Sequence, residues 1–144
     1  MTIFVVEEPI DASTGVVWTF LSEPQLMASW LPGADRLETR DGGPVIAGSE
    51  LVLHSGEETQ TMQVVDLAVG QRIILRTRQG SFTVTYHYGL ASDGDGSIAK
   101  LKVDCTVRGV AWLFAPLIKV MLRSADRGQL KLLKARVEAV PASA

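Results

Sequence analysis

Apolar residues recur at every second position over much of this chain, and the alternation defines strands. In residues 81–90, SFTVTYHYGL, Phe82, Val84, Tyr86, Tyr88 and Leu90 share one parity, and Thr83, Thr85, His87 and Gly89 share the other. In residues 97–108, Ala99, Leu101, Val103, Cys105 and Val107 alternate with Lys100, Lys102, Asp104, Thr106 and Arg108. One face of each strand is therefore buried and the other is wet. Similar runs at roughly 35–40, 49–55, 60–68 and 71–79 are punctuated by DGG, HSGEE, AVGQ, RQG and SDGDGS. Turn-rich connections this short, with no helix between them, predict an antiparallel meander.

Ahead of the meander, residues 2–8 read as a strand. PIDASTGVVWTFL then turns through Pro9 into a helix capped by Asp11 or Ser13, with Val16, Val17, Phe20 and Leu21 at helical spacing. A second short helix opens in LSEPQLMASW, where Ser22 and Gln25 have capping-box spacing and Pro24 sits in the first turn; Leu31-Pro32-Gly33 ends it. After Gly109 the period changes to 3.6, which predicts a long helix from about 110 to 138. Its apolar stripe is read as Phe114, Leu117, Ile118, Met121, Leu122, Ala125, Leu132 and Ala135, with Lys119, Arg123, Asp126, Arg127, Lys131 and Lys134 opposite. Pro116 is expected to kink its start, and Gly128 interrupts the stripe.

The inward face of residues 81–90 is unusual in carrying two phenols. A buried hydroxyl without a partner costs about 1–3 kcal/mol, so Tyr86 and Tyr88 are expected to look into a polar-lined or occupied hollow. The inward residues of the last strand, Val103 and Cys105 among them, are small or medium, and a glycine within a helix costs about 1 kcal/mol relative to alanine. Space beside Gly128 and Ala125 is the expected return for that cost. The candidate lining is Trp30, Phe82, Tyr86, Tyr88, Val103, Cys105, Phe114, Leu117, Met121, Ala125 and Gly128.

Composition narrows the function classes. The 144 residues suit one domain, expected over 1–140 with a short tail at 141–144, and 14 Lys+Arg against 16 Asp+Glu give no electrostatic case for a nucleic-acid partner. One cysteine and two histidines offer neither a disulfide nor a structural zinc set, so no metal and no cofactor is expected, and a reducing, cytoplasmic setting is. No apolar run reaches spanning length, so stable membrane insertion is not expected. No catalytic residue stands out: His87 lies on the outward parity, His54 closes a strand with ambiguous parity, and Cys105 has no histidine placed to activate it. Glu7, Glu8 and Asp66 are carried by strands and one of them could be a pocket acid.

One strand, two short helices, a six-stranded meander and a long C-terminal helix form an α+β plan. EEPIDASTGVVWTFLSEPQLMASWLPG resembles the START-like, or SRPBCC, superfamily at Ile10, Ala12, Val17, Trp18 and Trp30. The ending LKLLKARVE is similar to that of polyketide cyclase/dehydrase-type members, and LPGADRLE looks like the corresponding turn of the members associated with carbon monoxide dehydrogenase. The resemblance implies a helix-grip fold, a curved seven-stranded antiparallel sheet around the C-terminal helix. It also implies a cavity between sheet and helix for a small hydrophobic or aromatic, lipid- or polyketide-like molecule, with cyclase or dehydratase activity as a further use. The alternative it carries is a protein-interaction or assembly role, as in the chaperone-ATPase activator and carbon monoxide dehydrogenase-associated branches. A monomer or a homodimer is expected.

Overall fold

A computed structural model describes residues 2–109 and 128–139. The chain begins with β1 (Thr2–Ile10), α1 (Thr14–Ser22) and α2 (Pro24–Ala28). The meander follows as β2 (Arg36–Thr39), β3 (Glu50–Ser55), β4 (Glu58–Ala68), β5 (Arg72–Gln79), β6 (Phe82–Asp93) and β7 (Gly96–Val107), and α3 (Gln129–Glu138) closes the described chain. The seven strands form one antiparallel sheet in the order β1-β7-β6-β5-β4-β3-β2. β1 and β2 are thus the two edges, and α1 and α2 carry the chain from one edge to the other. This is the helix-grip plan that the element order implies.

Turn chemistry sets the hairpins. Gly70, between β4 and β5, has φ 76°, and Gly94, between β6 and β7, has φ 60°. Only glycine enters that left-handed region without a Cβ penalty. Register then fixes the faces: Tyr86 lies opposite Leu75 and Val103, and Tyr88 opposite Ile73 and Leu101. The side chains of Leu51, Val64, Ile73, Leu75, Leu101 and Val103 are buried on that inner face, against Val17, Leu21, Met27 and Trp30 from α1 and α2. The alternation slips once in β4, at an irregularity between Val64 and Asp66, and Val65 is left exposed.

Two expectations change, and a third lies partly outside the described residues. Ser22 does not cap α2: its hydroxyl donates to Trp18 O in α1 at 2.8 Å, and Glu23 holds the N-cap position ahead of Pro24. The long helix is described only as α3, with Phe114, Leu117, Met121 and Ala125 of the expected lining, and Pro116, outside the described residues. Within α3 the buried stripe is Gln129, Leu130, Leu133 and Val137, whereas Leu132 is 45% exposed and Ala135 is exposed. The expected stripe at Leu132 and Ala135 is therefore not the buried face of α3, whose N-cap is Gly128 with φ −84° and ψ 0°.

Polar contacts tie α3 to the rest. Glu138 Oε2 accepts from the Asp11 N–H at 2.9 Å and from Lys134 Nζ at 2.6 Å, and Lys134 Nζ also donates to Pro9 O at 3.0 Å. Arg136 Nε donates to Ser29 O at 3.0 Å, just after α2. The helix is held over β1, β7 and α1.

Candidate functional site

Between the inner face of β3–β6 and the start of α3 lies a hollow of about 120 Å³. Leu31 and Pro32 line it from the loop after α2, Leu53 from β3, Gln60 and Met62 from β4, Leu75 from β5, Tyr86 and Tyr88 from β6, and Gln129 from α3. Apolar walls with a few convergent polar groups are the usual make-up of a small-molecule site. Among the described lining residues there is no carboxylate, histidine, lysine or arginine.

The polar groups are held by bonds to one another. Tyr88 donates its hydroxyl to Gln129 Oε1 at 2.6 Å, a buried link from sheet to helix. Its ring stacks on Tyr86, with centroids 6.3 Å apart and planes 14° from parallel, and meets Trp30 edge-on at 5.6 Å. On the other side of the hollow, Gln60 Nε2 donates to Thr77 Oγ1 at 2.7 Å, and the Thr77 hydroxyl donates to Thr61 O at 3.3 Å.

Of the expected lining, the structure brings Tyr86 and Tyr88 to the hollow. Within the hollow the Tyr88 hydroxyl is met by a protein acceptor, Gln129 Oε1. Trp30 is 2% exposed and stands behind Tyr88, its indole N–H donating to Phe20 O at 2.9 Å. That carbonyl needs an outside donor because the residue four positions on is Pro24, which has no N–H. Val103 and Cys105 are core residues on the sheet's inner face, and Phe82 packs against that core half-buried; none of the three is among the residues that line the hollow. Gly128 is exposed beside Val6, Glu8 and Lys131, with open space where a Cβ would stand, and lies apart from the hollow.

Pattern reading misses Gln60 and Gln129. Gln60 has the inward parity of Met62 and Val64, a signal available in the sequence. Gln129 is four residues before Leu133 and so shares its helical face, which the misphased stripe conceals.

The candidate chemistry lies elsewhere. His87 Nε2 is 3.0 Å from Asp104 Oδ2 on the outward face, where Asp104 also accepts from the Thr2 hydroxyl. His54 faces outward between Glu38 and Arg36, at 3.0 and 3.2 Å. Glu7 pairs with Lys100 and Glu8 sits at the β1 edge. Asp66 bonds Arg72 at 2.8 Å, which holds its carboxyl below the usual range. Burial pushes the Cys105 thiol up, away from a reactive thiolate. Among the described residues no three His, Cys, Asp or Glu side chains gather as a metal set, and no helix is long and apolar enough to cross a membrane.

The sequence matches, over residues 1–138, the family described as polyketide cyclase / dehydrase and lipid transport. The chain belongs to that family. No curated protein matches it. Solved structures share its fold at low identity. Ara h 8.0201 superposes with a TM-score of 0.75 at 14% identity, over 97% of this chain and 99% of its own. A START superfamily protein from Mycobacterium smegmatis gives 0.73 at 18%, over 96% and 98%. The di-domain ARO/CYC StfQ from the steffimycin biosynthetic pathway gives 0.72 at 16%, over 94% of this chain and 50% of StfQ. These likenesses show that the chain shares the fold of those proteins.

Proposed function

We propose that the protein binds a small hydrophobic or aromatic molecule, lipid- or polyketide-like, in the hollow between its sheet and C-terminal helix. One observation carries the reading: the inner face of β3–β6 and the first turn of α3 leave a hollow whose apolar walls also present the Gln60 amide and the Tyr86 phenol. Membership of a family described by polyketide cyclisation and lipid transport supports it. Apolar area supplies the affinity, at about 25 cal/mol per Å² buried, and the amide and phenol orient the guest. Ring closure of a poly-carbonyl chain is a second use of such a hollow, because confinement raises the effective concentration of reacting carbons without an acid–base pair in the wall.

Uptake of the neutral dye 1-aminoanthracene, read by its fluorescence, tests binding. The parent should take up the dye, and Leu31→Trp, which adds bulk at a half-buried wall position, should weaken uptake at least several-fold with little change in melting. No uptake by the parent, or equal uptake by the variant, would overturn the reading.

A further inference from the structure

Gln60 differs from the other polar groups of the hollow in how its amide is committed. Thr77 is 3% exposed, and its hydroxyl has one proton, directed to Thr61 O at 3.3 Å. The Thr77 oxygen can then only accept from Gln60, so the amide must turn its NH₂ toward Thr77, at 2.7 Å, and its carbonyl the other way. Among the described residues nothing donates to that carbonyl. Gln60 and Leu53 line both the inner hollow and a surface depression formed with Ser55, Glu58 and Arg78. Gln60 therefore stands where the hollow meets the outside.

We infer that Gln60 is the specificity-determining residue of this site: its carbonyl accepts a hydrogen bond from a hydroxyl on the ligand, and the site selects hydroxyl-bearing aromatic molecules over plain hydrocarbons. The inference rests on the binding reading above. A rigid acceptor at the hollow's edge lowers the cost of ordering the contact, and an apolar guest that covers it without donating leaves a polar group desolvated. Thr77 acts through Gln60 as a positioning residue.

Two probes of the same shape decide it, 2-naphthol and 2-methylnaphthalene, titrated against the parent, Gln60→Met and Thr77→Val. Methionine keeps the length of the side chain and removes the acceptor. Gln60→Met should weaken 2-naphthol about ten-fold and leave 2-methylnaphthalene within about two-fold. Thr77→Val frees the amide to rotate and should weaken 2-naphthol by a smaller factor, again sparing 2-methylnaphthalene, which a general loss of packing would not spare. It serves as the deciding variant where Gln60→Met does not fold. Equal effects on the two probes, or none on either, would overturn the role of Gln60 while leaving the binding reading intact. Failure of the parent to bind either probe would overturn the binding reading, and this inference with it.

Discussion

The Tyr88 hydroxyl donates to Gln129 Oε1 at 2.6 Å, and the two residues are only 2% and 3% exposed. A side chain on the central part of the sheet is thereby bonded to the first turn of the C-terminal helix, within the wall of the hollow. Tyr88→Phe leaves the amide carbonyl without this donor in a buried site, and the expected loss is about 1–3 kcal/mol. Gln129→Leu should cost a similar amount, and the double variant less than the sum, because both changes remove the same bond. Urea unfolding of the four proteins measures the coupling. Strict additivity would mean that the bond contributes nothing of its own.

Trp30 combines two roles that Phe can only half fill. Its ring packs edge-on against Tyr88, and its N–H supplies the donor that Phe20 O cannot obtain from Pro24. Trp30→Phe should therefore destabilise by about 1–3 kcal/mol through the stranded carbonyl, while Trp30 itself lies outside the hollow and dye affinity changes little. A marked loss of affinity at unchanged stability would instead place Trp30 against the ligand.

Much of the sheet is legible in the sequence because a period of two leaves little freedom once glycine turns fix the hairpins. Tyr86 and Tyr88 follow from that rule alone. The rest of the site depends on features that no local pattern encodes. Whether the Tyr88 hydroxyl meets water, ligand or protein is decided by Gln129, 41 residues away. Gln60 escapes notice because glutamine on a strand usually marks the wet face, and only the pairing of Met62 with Thr77, which brings Thr77 within reach of Gln60 two residues away, reveals the polar pair beneath. The helix phase fails within α3, where Gln129, Leu130, Leu133 and Val137 are buried while Leu132 and Ala135, placed on the apolar stripe by pattern, are exposed.

Gly128 provides a direct check of that correction. With open space around its Cβ position and the hollow elsewhere, Gly128→Leu should leave 1-aminoanthracene uptake within about two-fold of the parent and stability within ~1 kcal/mol. A strong drop in uptake would return Gly128 to the lining.

The end of α3 gives a pH dependence with a definite sign. The Asp11 N–H, and then Lys134, hold the Glu138 carboxyl below its ordinary 4.5, and the same contact raises Lys134. A carboxylate depressed in the folded state binds its proton more readily when unfolded, so the stabilisation is present above about pH 4.5 and is lost as the pH falls through the lower folded value. Glu138→Gln should accordingly lower the urea midpoint at pH 7, and the gap to the parent should close in acid. The screened, exposed position makes the effect small and salt-sensitive. Urea midpoints from pH 7 to pH 3, at low and high salt, test this. A gap that keeps its full size at pH 3 would mean that Glu138 acts through packing, and that its charge does not hold the helix to the turn at Asp11.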